Sequence, residues 1–145
     1  MKALPFLLFL VLGTIQAQKI DYNTKNGTAV KGYDVVAYFN NTAIEGNKKY
    51  VTQYDGVTYL FASSLHLKMF IDNPEKYIPQ YGGYCAYAIG AKSKKVSIDP
   101  ETYEIRDGKL YLFYNSWGTN TLDLWLAEEP TKLQQKADKN WEKIK

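Results

Sequence analysis

Apolar and polar positions along the chain fall into blocks of different period, and the periods predict the elements. In KKYVTQYDGVTYLFAS, β-branched and aromatic residues at 50–54 and 58–61 flank Asp55-Gly56. In ETYEIRDGKLYLFYN, residues 103–106 and 109–114 flank Asp107-Gly108 in the same manner. Asp-Gly suits the left-handed backbone of a two-residue turn, so both stretches are predicted as antiparallel hairpins. They also read alike, DGVTYLFASS at 55–64 lying over DGKLYLFYNS at 107–116. Each is followed by a helical pattern that ends before a proline, Pro74 or Pro130. Either a ββα unit is duplicated, or two hairpins share common turn chemistry.

Helical period governs three further stretches. Residues 63–72 form the first predicted helix, with Ser63 as N-cap. At about 100° per residue, Lys68 and Asp72 share one side and face water. His66 and Phe70 point inward between Leu67, Met69 and Ile71, so His66 is expected to be buried. Helices are also predicted over 119–129 and 131–144. In the second, Thr131 and Gln134 stand at capping-box spacing, and Leu133, Ala137, Trp141 and Ile144 form one apolar stripe that closes a core. Residues 18–32 are polar and rich in Asn, Thr and Gly, and read as a flexible lead-in. The packed domain is expected over 33–145, beginning near GYDVVAYF. The fold class is therefore α+β: a small single domain of antiparallel hairpins with packed helices.

The first residues change where this domain is expected to reside. MKALPFLLFLVLGTIQAQ has a basic Lys2, an apolar run and a small residue at Ala17, which reads as a signal peptide over 1–17. The run is too short to span a bilayer, and no later segment approaches the roughly 20 apolar residues a membrane helix needs. A periplasmic or secreted chain is expected. The sequence carries 18 basic and 15 acidic residues, a net of +3, too balanced to imply nucleic acid as a partner. Lys92, Lys94 and Lys95 read as a solvated loop.

Export sharpens the position of the single cysteine, Cys85, because thiols outside the cytosol tend to be oxidised in pairs. Cys85 is sheltered, metal-bound, chemically active or joined to another chain. Gly82-Gly83 lets the backbone turn sharply before it, and AYAIGA after it suits a short helical turn that would bias the thiol toward thiolate. The sequence shows no phosphate loop, no serine nucleophile elbow and no histidine pair. Its paired carboxylates, Glu128-Glu129 and Asp99 with Glu101, read as surface charge. What remains is a soft donor set: Cys85, His66 and Met69 are thiolate, imidazole and thioether ligands suited to Cu(I). His66 and Met69 are neighbours on one helix. A catalytic reading of Cys85 as a redox thiol stands beside the metal reading. A third candidate is a binding surface: Tyr77, Tyr81, Tyr84 and Tyr87 cluster among 13 tyrosines, fit for a small molecule or protein partner, although tyrosine also serves as core material.

GYDVVAYF (32–39), YLFASSLHLKMFIDNPEKY (59–77), PQYGGYCAYA (79–88), DPETYEIRDGKLYLFYN (99–115) and ADKNWEKI (137–144) together resemble small exported bacterial proteins of the YHS-domain family. The resemblance covers nearly the whole chain after residue 17. It implies kinship with metal-associated modules in which cysteines serve as ligands. Here Ala37 and Ala62 stand in the cysteine places, and His66 lies near where a further cysteine falls. It also implies that selenocysteine replaces Cys85 in some members, which favours soft-metal or redox chemistry there. With no second cysteine, a redox cycle requires an external thiol or a sulfenic acid.

Overall fold

The computed structural model describes residues 19–145, and the expected signal peptide, residues 1–17, lies outside the described residues. Both hairpins form where turn chemistry places them. The first joins β3 (Asn47–Tyr54) to β4 (Val57–Phe61), and the second joins β5 (Asp99–Arg106) to β6 (Lys109–Phe113). Their registers repeat: Val51 opposite Leu60 and Tyr54 opposite Val57 correspond to Tyr103 opposite Leu112 and Arg106 opposite Lys109. Both ladders also break at the same place, between Asn47 and Val51 in one and between Asp99 and Tyr103 in the other. The likeness read from the sequence therefore extends to backbone pairing.

The lead-in is more ordered than its composition suggests. Within it, β1 (Thr24–Lys25) and β2 (Thr28–Ala29) form a small antiparallel pair. β2 also touches β4 in parallel, through Thr28 and Thr58, giving a sheet in the order β1-β2-β4-β3. Ala29 and Val30 are buried in that sheet's core. Two apolar side chains at the end of a polar stretch are enough to anchor it, a signal that average composition hides.

After β4 come α1 (Ser64–Asp72) and α2 (Pro74–Tyr77). Ser63 caps α1 as expected, its Oγ accepting from the His66 amide at 3.1 Å. Phe70 is buried, but Ile71 is 57% exposed. The helix presses only one narrow sector onto the sheet, centred on Phe70 against Tyr59 and Phe61, and Ile71 lies about 100° around the axis from it. The turn at Gln80–Gly83 leads through Cys85 into α3 (Ala86–Lys92). A short hairpin, β7 (Asn115–Ser116) with β8 (Thr119–Asn120), separates β6 from α4 (Thr121–Ala127) and α5 (Pro130–Ile144). The capping box expected at Thr131 and Gln134 is absent. Pro130 occupies the first helical position, where its fixed φ suits the helix start, and Glu129 is the cap residue, its carboxylate paired with Lys132 at 2.6 Å rather than capping the helix amides.

Strand β6 organises the interior. Leu110 and Leu112 join the core around the first sheet, while Tyr111 and Phe113 join a second core with Trp125, Leu133 and Ala137. Alternate side chains of one strand point to opposite faces, so this strand divides two hydrophobic clusters. In the second cluster α3 and α5 approach closely at Gly90, where an added Cβ would lie 2.8 Å from the Leu133 carbonyl oxygen. Asn140 Nδ2 donates to the Ile89 carbonyl at 2.8 Å and ties the same pair of helices.

The four two-residue hairpin turns among the described residues have matching backbones: Asn26-Gly27, Asp55-Gly56, Asp107-Gly108 and Trp117-Gly118 have φ of 51° and 78°, 50° and 76°, 50° and 72°, and 51° and 74°. Trp117 is 93% exposed, so it bears the left-handed penalty of a bulky residue without gaining burial. Replacement Trp117→Asn is expected to raise unfolding free energy by roughly 1 kcal/mol, measured by urea denaturation; an unchanged or lower midpoint would contradict this account.

Candidate functional site

The run GYDVV carries a charged residue into an apolar segment, and the structure shows why. Asp34 has no exposed surface. Its Oδ1 accepts from the amides of Val36 at 2.9 Å and Ala37 at 3.2 Å. Its Oδ2 accepts from the Ala62 amide at 2.9 Å and lies 2.6 Å from His66 Nδ1. One carboxylate thus closes the turn at 34–37, holds the β4–α1 junction and positions the only histidine. Burying a carboxylate is tolerable only with its lone pairs occupied, and four N–H groups occupy these.

The tautomer of His66 follows from its partner. With Oδ2 as acceptor, the proton bridging the pair belongs to Nδ1, and Nε2 is the remaining ring nitrogen. The His66 side chain is 19% exposed, so the expectation of full burial is corrected. The helix turns the ring's inner edge onto Asp34 and leaves its outer edge at the surface. No described residue bonds to Nε2, and every buried side-chain nitrogen and oxygen among the described residues has a partner. Nε2 therefore faces solvent.

Cys85 is placed differently. Its side chain is completely buried in the first core. The sequence rightly suggested a helix after it, and Cys85 is the N-cap of α3, but its sulfur makes no capping bond to that helix. Instead Sγ lies 3.2 Å from Thr121 Oγ1, which donates to the Tyr114 carbonyl at 2.7 Å. Because the hydroxyl proton is committed to Tyr114, the thiol is the donor to Thr121. A buried thiol used as a donor is a packing group with one satisfied polar contact.

The structure does not join the three predicted ligands through polar contacts. The sulfur is engaged by Thr121, the imidazole by Asp34, and Met69 is partly buried against the first core. Among the described residues no group of three His, Cys, Asp or Glu side chains is arranged for a metal ion, and no helix is long and apolar enough to cross a membrane. The tyrosine cluster resolves mainly into packing. Tyr77 and Tyr81 are buried, and Tyr84 and Tyr87 pack partly buried against the second core. Tyr81 donates to Asp138 at 2.8 Å, and burial, followed by that hydrogen bond, raises its pKa well above the ordinary phenol range. Tyr111 is pushed up to about 12, chiefly by burial and then by Asp138 and neighbouring carboxylates.

No family model, curated protein or solved structure matches this chain.

Asp34 and Thr121 are the partners that sequence reading missed. Asp34 left a trace as a lone charge within an apolar run; Thr121 left none, being an ordinary polar residue at a helix start. Asp34→Asn places an amide N–H against existing donors and is expected to lower stability on the order of 3 kcal/mol, read from urea unfolding. Cys85 should react with a thiol reagent in native protein orders of magnitude more slowly than in urea-unfolded protein; equal rates would refute its burial.

Proposed function

We propose that the chain is a non-catalytic, metal-associated binding module whose coordinating group is the His66 imidazole, for a soft or borderline ion of the copper type, with Cys85 as a structural thiol. The observation that carries this reading is the Asp34–His66 contact at 2.6 Å. A metal-binding histidine characteristically donates its other ring N–H to a carboxylate, which fixes the tautomer and raises ligand basicity. Asp34 supplies that carboxylate, and its own position is fixed by three backbone amides.

The residues fit a copper-type ion at His66 and do not fit it at Cys85, whose sulfur is sealed from solvent. Met69, one helical turn from His66, is the nearest soft donor in sequence on that element. The remaining coordination positions fall to water or to ligands of a partner, an arrangement suited to exchangeable binding. A bound copper ion would supply a soft acceptor for such ligands.

The resemblance to YHS domains adds a second line of support. On that reading Ala37 and Ala62 occupy places where metal-bearing relatives carry cysteine, and the amides of both residues end on Asp34. The segments that would carry the lost ligands therefore converge where His66 stands. A thiol-redox role is less well supported, because oxidation requires access to the sulfur.

Anaerobic titration of the reduced full chain with Cu(I), and separately with Cu(II), detected by native mass spectrometry, tests the reading. One equivalent should bind to the wild type and to Cys85→Ala. His66→Asn should lose it, and Asp34→Asn should bind roughly 10- to 100-fold more weakly. Retention by His66→Asn, or loss in Cys85→Ala, would overturn it.

A further inference from the structure

We propose that a second site, independent of His66, binds a small organic cation of the quaternary-ammonium type. An open groove of about 400 Å³ runs between the segment carrying Tyr22, the turn at Tyr81 and helix α5. That volume lies within the usual range for small-molecule sites. Neither His66 nor Cys85 lines it.

The lining combines two features that favour the same ligand. Half-buried Tyr22 and Trp141 supply aromatic surface over the buried Tyr81, and Glu75, Asp138 and Glu142 supply carboxylates against one lysine of the lining, Lys109. Glu142 already pairs with Lys145 at 2.7 Å, so the charge left on the lining is Glu75, which the Tyr54 hydroxyl meets, and Asp138 against Lys109. Asp138 accepts from the Tyr81 hydroxyl, a bond that fixes the carboxylate while leaving it acceptor capacity. An anion would meet net repulsion here, and a neutral apolar ligand would cover carboxylates without compensating them. A cation with an apolar envelope matches both the rings and the charge.

The indole of Trp141 is held in place before any ligand arrives. Trp141 packs on Gly82 so closely that a Cβ there would lie 3.0 Å from its ring. Lys95, which does not line the groove, packs its ammonium 5.7 Å from the centre of the same indole and 5.8 Å from that of Tyr84 while paired with Asp21 at 3.0 Å, and so helps to fix the ring. Holding the aromatic surface before a ligand arrives removes part of the ordering cost of binding.

The test uses the full chain and two probes of one shape: choline, and its neutral isostere in which a tert-butyl group replaces trimethylammonium. Binding is followed by chemical-shift changes of the Trp141 indole and, in every variant including Trp141→Leu, by isothermal titration calorimetry. Choline should shift that signal saturably, the isostere should bind roughly tenfold or more weakly, and Asp138→Asn should narrow the gap between them. Asp138→Asn keeps an acceptor for Tyr81, and an unchanged urea midpoint would show that its effect is on binding. Equal affinity for the two probes, no saturable shift with choline, or unchanged choline affinity in Trp141→Leu would each overturn the proposal.

Discussion

A buried carboxylate is the constraint on which this fold's chemistry depends. Asp34 lies with no exposed surface among apolar residues, and such a group survives there only if the chain delivers donors to both oxygens. The donors come from three places: its own turn, the end of β4 and the first turn of α1. Satisfying one side chain thereby fixes the relative position of three segments. His66 gains a set orientation as a by-product, with one ring nitrogen committed inward and the other presented outward.

Strand β6 plays the corresponding part for hydrophobic packing. Because both of its faces are covered, the first hairpin and the C-terminal helices pack on opposite sides of one element. Cys85 sits beside that division, in the first cluster, while its neighbour Ala86 belongs to the second. A residue at such a junction is shielded from every side. Its single polar need is met by Thr121, which is itself tethered to the residue following β6.

The hairpins and helices were legible because their signals are local. Asp-Gly at 55–56 and 107–108 specifies the turn conformation, and the residues beside it set the register. Ser63 announces α1, and the Leu133, Ala137 and Trp141 stripe announces the inner face of α5. Less legible was the lead-in, where Ala29 and Val30 enter the core from a polar stretch. Ile71 was misplaced because a helix wheel gives angles between side chains but not the width of the surface that covers them. The capping box failed because Thr131 to Gln134 matches a spacing, whereas Pro130 decides where the helix starts.

The sequence alone determined element types, turn positions and the inventory of reactive groups: one cysteine, one histidine and no second thiol. It did so because turn preference, side-chain period and composition depend on residues within a few positions of one another. Tertiary structure decided which of those groups is usable. Asp34 meets His66 across 32 positions, and Cys85 meets Thr121 across 36. No local rule specifies such pairs, since they arise only when the cores close and each buried polar group must find a partner.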